Sequence, residues 1–314
     1  MIDHLLFILC SLVCLAAGAE GLVRGSASLA TRAGLSALAV GLTVVAFGTS
    51  SPELVVSLNA TLAGQGDIAV GNVVGSNCFN TGIILGLTSL ICPVRVHSQL
   101  IRLDAPFALA ASAVLPITLL DGQVGRVEGG LLVLGLIAYI SWILRLARSD
   151  SAIRADLDPA IVPKVSKHWL LDVVLIAGGL GLLLFGSRLL IEHATAIAQL
   201  WGVSEAVIGL TVVAAGTSMP ELATSLVAAV RGQPDIAIGN IVGSNIFNIL
   251  AIIGLTSLTA PIAAGGITAL DFGVMLAFAA LLIPLLYTDQ MVRRLEGALL
   301  VGIYGVYMAI LWPK

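Results

Sequence analysis

The sequence predicts an all-α polytopic membrane protein of ten transmembrane helices, arranged as two inverted five-helix repeats. Three observations carry that prediction. The chain is 58% hydrophobic and 11% charged, with a mean hydropathy of +1.07. A soluble domain of 314 residues could not cover so much apolar surface. Ten runs approach the roughly 20 mostly apolar residues that a span requires. Finally, a forty-residue stretch occurs twice, ungapped, at a constant offset of 168, with 28 of 40 positions identical.

The ten runs fall at about 5–25, 37–61, 69–92, 104–119, 127–146, 169–197, 205–230, 237–259, 268–286 and 295–312. The fourth is short, and the first and sixth are long enough to tilt. With the N-terminus outside, the cytoplasmic loops collect Arg32, Arg95, Arg102, Arg145, Arg148, Arg154, Lys164, Lys167, Arg231, Arg293 and Arg294. The external side receives Arg126 and Lys314. That excess of positive charge on one side predicts an even number of spans with both termini outside. A cleavable leader is the rival reading of the first run, but its flank carries Asp3 and His4 rather than Lys or Arg. The run also has a counterpart half a chain later, with Gly18 matching Gly186 and Leu22 matching Leu190. Cys10, Cys14, Cys78 and Cys92 all fall in spans and read as small apolar residues rather than disulfide partners.

The offset divides the chain into an N-terminal repeat (1–146), a polar cytoplasmic linker (147–168) and a C-terminal repeat (169–314). Five spans per repeat invert the second half against the first. Many secondary transporters share this pattern, with their site where the repeats meet near mid-bilayer.

The duplicated stretch runs from Gly41 to Asn80 and from Gly209 to Asn248. What recurs in it is polar: Gly48-Thr49-Ser50-Ser51-Pro52-Glu53 against Gly216-Thr217-Ser218-Met219-Pro220-Glu221. Proline removes a helix hydrogen bond and crowds the preceding turn. Carbonyls near Gly48 and Gly216, including those of Ala46, Thr49, Ala214 and Thr217, are therefore expected to be partly released. In hydrocarbon a released carbonyl needs a partner, a cavity or a cation. Thr49 and Ser50 precede Glu53 by four and three residues and share its helix face. The opposing wall is Gly71-Asn72, Gly75-Ser76-Asn77 and Asn80, repeated as Gly239-Asn240, Gly243-Ser244-Asn245 and Asn248. Glycines allow two helices to approach closely, so these amides and hydroxyls are expected to face the carboxylates. The set is all oxygen, without imidazole or thiolate, and suits Ca²⁺, Na⁺ or Mg²⁺. An ionised carboxylate at the bilayer centre costs about 2.5–3.5 kcal/mol on insertion scales, so a mid-membrane pair requires neutralisation by cations or protons.

Other charged groups read more plainly. Glu20–Arg24 and Arg188–Glu192 are local i,i+4 pairs or snorkelling groups, and Asp67 and Asp235 are placed to cap the helices that follow them.

The paired GTSxPE…GNxxGSNxxN motifs resemble the alpha-repeats of the sodium/calcium exchanger family, within the wider cation/calcium antiporter superfamily, and the chain length and short linker resemble its compact prokaryotic members. The resemblance implies alternating-access exchange of Na⁺ for Ca²⁺ in a prokaryotic inner membrane. Under it, Glu53 and Glu221 are carboxylates shared by both ions, and Thr49 and Thr217 offer backbone carbonyls to calcium. The Ala46 and Ala214 carbonyls and the Ser50, Ser218, Ser76 and Ser244 hydroxyls serve sodium, while Asn80 and Asn248 line the pocket centre. The long first and sixth helices become a candidate sliding gate. Some relatives carry Asp at one of the two Asn positions; here both are amides, so the formal pocket charge is −2, which one Ca²⁺ neutralises. No cofactor and no nucleic-acid partner is implied. A Ca²⁺/H⁺ antiporter using the same two glutamates is the alternative, which the flanking Ser, Thr and Asn oxygens disfavour. A channel fits the inverted repeats less well, and an enzyme lacks a credible His or Cys partner in the spans.

Overall fold

The computed structural model describes residues 2–154, 168–201, 212, 214–287 and 290–311. The described chain is dominated by helices: α1 (Ile2–Ala33), α2 (Ala37–Thr49), α3 (Ser51–Leu62), α4 (Gly66–Ile91), α5 (Leu100–Thr118), α6 (Arg126–Arg154), α7 (Trp169–Leu200), α8 (Ala214–Thr217), α9 (Met219–Val230), α10 (Pro234–Thr259), α11 (Ala269–Tyr287) and α12 (Arg294–Leu311). Eight of them are long and apolar enough to cross a membrane, and α2 with α3 form a ninth candidate that bends by 45°. This is an integral membrane protein.

The first helix runs on to Ala33 rather than stopping near residue 25. Its charges are met laterally, which removes the reason to end the span. Arg24 pairs with Glu20 one turn before it, and Arg32 reaches the buried Asp172 of α7 at 3.1 Å. The Arg24–Glu20 pair is the expected i,i+4 one, and Arg231 joins it at 2.8 Å. Helix α6 likewise continues to Arg154, into the expected linker, and linker residues 155–167 lie outside the described residues. So do residues 202–211 and 213, which hold the start of the expected seventh span and of the second motif copy.

Small strands, not expected from the all-α reading, tie the loops together. β1 (Val94–Arg95) pairs antiparallel with β4 (Met291–Val292), and β2 (Gln123–Val124) with β3 (Ile262–Ala263). Val94 and Ile262 are 168 residues apart, as are Val124 and Val292, so the two pairings are exchanged by the repeat offset.

Helix α10 lies at the centre, with its apolar window wholly buried. It packs backbone to backbone against α2, which the absence of side chains at Gly239 and Gly243 permits. A Cβ at Gly239 would stand 2.9 Å from the Leu38 carbonyl oxygen, and one at Gly243 would stand 2.8 Å from that of Leu42. Long helices α1 and α7 run along each other through a similar seam, where a Cβ at Gly18 would meet the Gly179 carbonyl oxygen at 2.7 Å. Such contacts trade side-chain packing for close van der Waals approach, the usual glue between helices in lipid.

Candidate ion-binding site

The bend in the second span occurs at Ser50, whose backbone (φ −80°, ψ 8°) leaves the helical region between Thr49 and Ser51. Ser218 repeats it (φ −89°, ψ 7°). Pro52 and Pro220 each sit in the first turn of the following helix, where a missing N–H costs nothing. The prolines thus restart a helix rather than kink one, and Glu53 and Glu221 fall in those new first turns. A carboxylate there gains from the positive end of the helix dipole.

Both glutamates are 1% exposed. Each is held by the serine of the other repeat: Ser218 Oγ donates to Glu53 Oε1 at 3.0 Å, and Ser50 Oγ donates to Glu221 Oε1 at 2.9 Å. Ser218 Oγ also lies 3.4 Å from Ser76 Oγ. The Ser244 hydroxyl faces Glu221 without a close hydrogen bond of its own. Thr49 Oγ1 donates to Asn240 Oδ1 at 3.0 Å, and Thr217 is buried.

Asparagines from α4 and α10 join across the repeat boundary. Asn80 Nδ2 donates to Asn245 Oδ1 at 3.0 Å, Asn248 Nδ2 to Asn77 Oδ1 at 2.9 Å, and Asn245 Nδ2 to Thr81 Oγ1 at 3.0 Å. Asn80 and Asn248 also open π-helical segments, Asn80–Leu85 and Asn248–Ile253. Such widened turns recur at functional sites.

After these bonds are made, five buried oxygens among these residues keep no hydrogen-bond partner: Glu53 Oε2, Glu221 Oε2, Asn80 Oδ1, Asn248 Oδ1 and Ser244 Oγ. Buried polar atoms are almost always paired. These five unpaired oxygens, with no unpaired donor nitrogen among the same residues, make a candidate cation site. Among the described residues no cluster of three or more His, Cys, Asp or Glu exists, so the oxygens beside the two carboxylates are those of Ser, Thr, Asn and the backbone.

The structure therefore brings together Glu53, Glu221, Ser50, Ser218, Ser76 and Ser244, while Asn80 and Asn248 join Asn245 and Asn77 across the repeats. Ala46 differs from expectation: its carbonyl keeps the Ser50 N–H at 3.0 Å and also lies 3.4 Å from the Thr49 hydroxyl. Ala214 opens helix α8, and its side chain lies outside the described residues. The carbonyl that Pro220 frees, that of Gly216, is taken by Ser187 Oγ of α7 at 2.7 Å, which satisfies it without a cation. Asp67 caps no helix with its side chain; it accepts the Gly266 N–H at 2.7 Å and so anchors α4 to the other repeat.

Asn72 and Asn240 belong to the expected wall, but the serines they hold, Ser57 and Ser225, escaped the sequence reading. Asn72 Nδ2 donates to the Glu53 carbonyl (3.1 Å) and Ser57 Oγ (3.0 Å), and Asn240 Nδ2 to the Glu221 carbonyl (3.3 Å) and Ser225 Oγ (3.1 Å). Ser57 and Ser225 stand at the 168-residue offset inside the duplicated stretch, so their recurrence was the available signal.

A family model described as sodium/calcium exchanger protein matches residues 4–145 and again residues 171–312. The chain belongs to the sodium/calcium exchanger family. The double match places one copy of the family unit on each side of the linker. The exchanger is 36% identical over its whole length to the putative antiporter CaxA of Alkalimonas amylolytica, itself covered completely. It is 38% identical to the inner membrane protein YrbG of Escherichia coli, over 94% of this chain and 92% of that protein. Among solved structures it resembles the sodium-calcium exchanger NCX_Mj soaked with 2.5 mM Na⁺ and 0.1 mM Ca²⁺, with a TM-score of 0.85 and 30% identity over the full length of both chains. The family model, CaxA and NCX_Mj are named for exchange or antiport, and cation exchange of the calcium type is the activity they support here.

Proposed function

We propose that the chain is a secondary-active antiporter that exchanges Na⁺ for Ca²⁺ by alternating access, both ions competing for Glu53 and Glu221. The observation that carries this reading is the set of unpaired oxygens on Glu53, Glu221, Asn80, Asn248 and Ser244. Two carboxylates give a formal charge of −2, matched by one Ca²⁺ or two Na⁺. Calcium accepts six to eight oxygens in flexible geometry, which carboxylates, amides, hydroxyls and the backbone carbonyls of Thr49, Thr217 and Ala214 can provide. Ala46 is a weaker donor than its position suggested, because its carbonyl already holds an N–H. Only a neutralised site crosses the low-dielectric interior cheaply, which couples the ions: one species must leave before the other enters.

Ten spans in two inverted repeats support that cycle, and the strand pairs bear on the count. Strands β1 and β4 share one side of the membrane, so the chain crosses an even number of times between Arg95 and Met291. Helices α5, α6, α7, α10 and α11 supply five crossings; parity calls for one more, where α8 and α9 lie. The same argument holds for β2 and β3. With ten crossings, the charge bias puts both termini outside, in a prokaryotic cytoplasmic membrane.

The test is uptake of labelled Ca²⁺ into Na⁺-loaded liposomes diluted into Na⁺-free buffer, alongside Glu53→Gln and Glu221→Gln. The expected result is uptake that requires the sodium gradient and disappears in both variants. Uptake driven by a proton gradient and indifferent to sodium would instead assign a Ca²⁺/H⁺ antiporter on the same carboxylates.

A further inference from the structure

The charged and aromatic groups at the N-terminal end of α1 belong to no part of the ion pathway described above. His4 Nδ1 lies 2.9 Å from His193 Nδ1 of α7, with the two ring centroids 5.2 Å apart. Phe7 stacks on His193 with centroids 4.4 Å apart and planes 7° from parallel, which fixes the orientation of that ring. Both imidazoles are partly exposed, and each follows an exposed carboxylate, Asp3 or Glu192.

We infer that His4 and His193 form a binding site for a borderline transition-metal dication, such as Zn²⁺, Ni²⁺ or Cu²⁺, that bridges α1 to α7. Imidazole suits these ions and not Ca²⁺ or Na⁺, whose ligands are oxygens. A tetrahedral Zn²⁺ with bonds of about 2.0–2.1 Å holds two nitrogens about 3.3 Å apart. The rings therefore need to separate by only about 0.4 Å from their present contact. In the hydrogen-bonded pair one Nδ1 carries a proton. Moving that proton to Nε2 of the same ring leaves both Nδ1 lone pairs facing the ion without releasing a proton. Water completes the coordination, since no third His, Cys, Asp or Glu joins the pair among the described residues.

The site stands apart from the duplicated machinery. At the 168-residue offset, His4 corresponds to Asp172 and His193 to Gly25. Those two residues meet at the opposite end of the same helix pair, where a Cβ at Gly25 would come within 2.8 Å of the Asp172 carbonyl oxygen. One end of the α1–α7 pair is thus closed by backbone contact, and the other by two imidazoles that can take a metal.

The experiment is calorimetric titration of Zn²⁺ into the purified full chain in detergent with excess Ca²⁺, which keeps the carboxylate site occupied. One Zn²⁺ per chain is expected, weakened by about tenfold or more in His4→Gln and in His193→Gln, and retained in Glu53→Gln/Glu221→Gln. Cu²⁺ bound to the unmodified chain should show two imidazole nitrogens by electron paramagnetic resonance, a readout independent of how any variant folds. No stoichiometric Zn²⁺ binding, equal binding in both histidine variants, or a copper spectrum without imidazole nitrogens would each overturn the site. The outcome is separable from the transport reading, because it requires no ion exchange.

Discussion

The Ser50 hydroxyl donates to Glu221 at 2.9 Å, and so reaches a carboxylate 171 residues away rather than its own helix neighbour Glu53. The reciprocal bond, Ser218 to Glu53, has nearly the same length. Each repeat therefore completes the other's carboxylate, and neither half makes the site alone. A hydrogen bond to a charged group contributes about 1.5–3 kcal/mol. Replacing Ser50 or Ser218 by Ala should weaken apparent ion affinity by roughly tenfold or more, to within about twofold of one another, as measured by the concentration dependence of Ca²⁺ uptake. A large effect from one serine alone would contradict the reciprocal arrangement.

Asn240 should matter more for stability than its counterpart Asn72. Asn240 is fully buried and holds Glu221, Ser225 and Thr49 together, whereas Asn72 is half-buried and bonds Glu53 and Ser57. Leaving buried partners unsatisfied costs about 1–3 kcal/mol each. Thermal unfolding in detergent should show Asn240→Ala melting below Asn72→Ala, and the reverse order would remove the proposed importance of the Thr49 contact.

Glycines should divide by what stands opposite them. Gly239→Ala places a methyl 2.9 Å from a backbone oxygen of α2, which can yield only if the helices part. Overpacking of this kind costs about 1–3 kcal/mol. Gly302 of α12 has no atom within 4 Å of the same position, so Gly302→Ala should be neutral or add about 0.5–1 kcal/mol. Yield of monodisperse protein and melting temperature would check both.

Glu20 links α1 to Arg231 just after α9, at 2.8 Å. The positions at the repeat offset are Arg188 and Ala63, which cannot form an equivalent bond. The tie therefore exists on one face of the molecule. An exposed pair contributes roughly 0.2–1 kcal/mol, too little to affect folding but enough to shift a transport equilibrium. Arg231→Gln should leave the melting temperature unchanged and alter apparent Ca²⁺ affinity on one side of oriented vesicles. Equal changes on both sides would count against an asymmetric tie.

The carboxylate pair was legible because Glu53 and Glu221 are costly in lipid and recur at one offset together with Pro, Ser and Asn. Ser57 and Ser225 recur as reliably, but a serine in an apolar helix carries little cost, so nothing in the sequence raised them above packing residues. Asp172 escaped for a different reason. It lies three residues into the sixth apolar run, near a span end where a carboxylate can meet water, and its burial beside Arg32 depends on a helix 140 residues away in sequence.

The amino-acid sequence by itself determined the membrane class, the duplication, the two glutamates and the family. The first three follow from composition, from period or from the cost of a polar group in hydrocarbon, and the family from the resemblance of the paired motifs; all are properties of a chain before it folds. Only the tertiary structure decided which serine serves which glutamate, that Ser187 satisfies the carbonyl freed by Pro220, and that the asparagines of α4 and α10 join across the repeats. Hydrogen bonds form within about 3 Å, and no spacing along the chain reports which groups come that close once two inverted halves interlock.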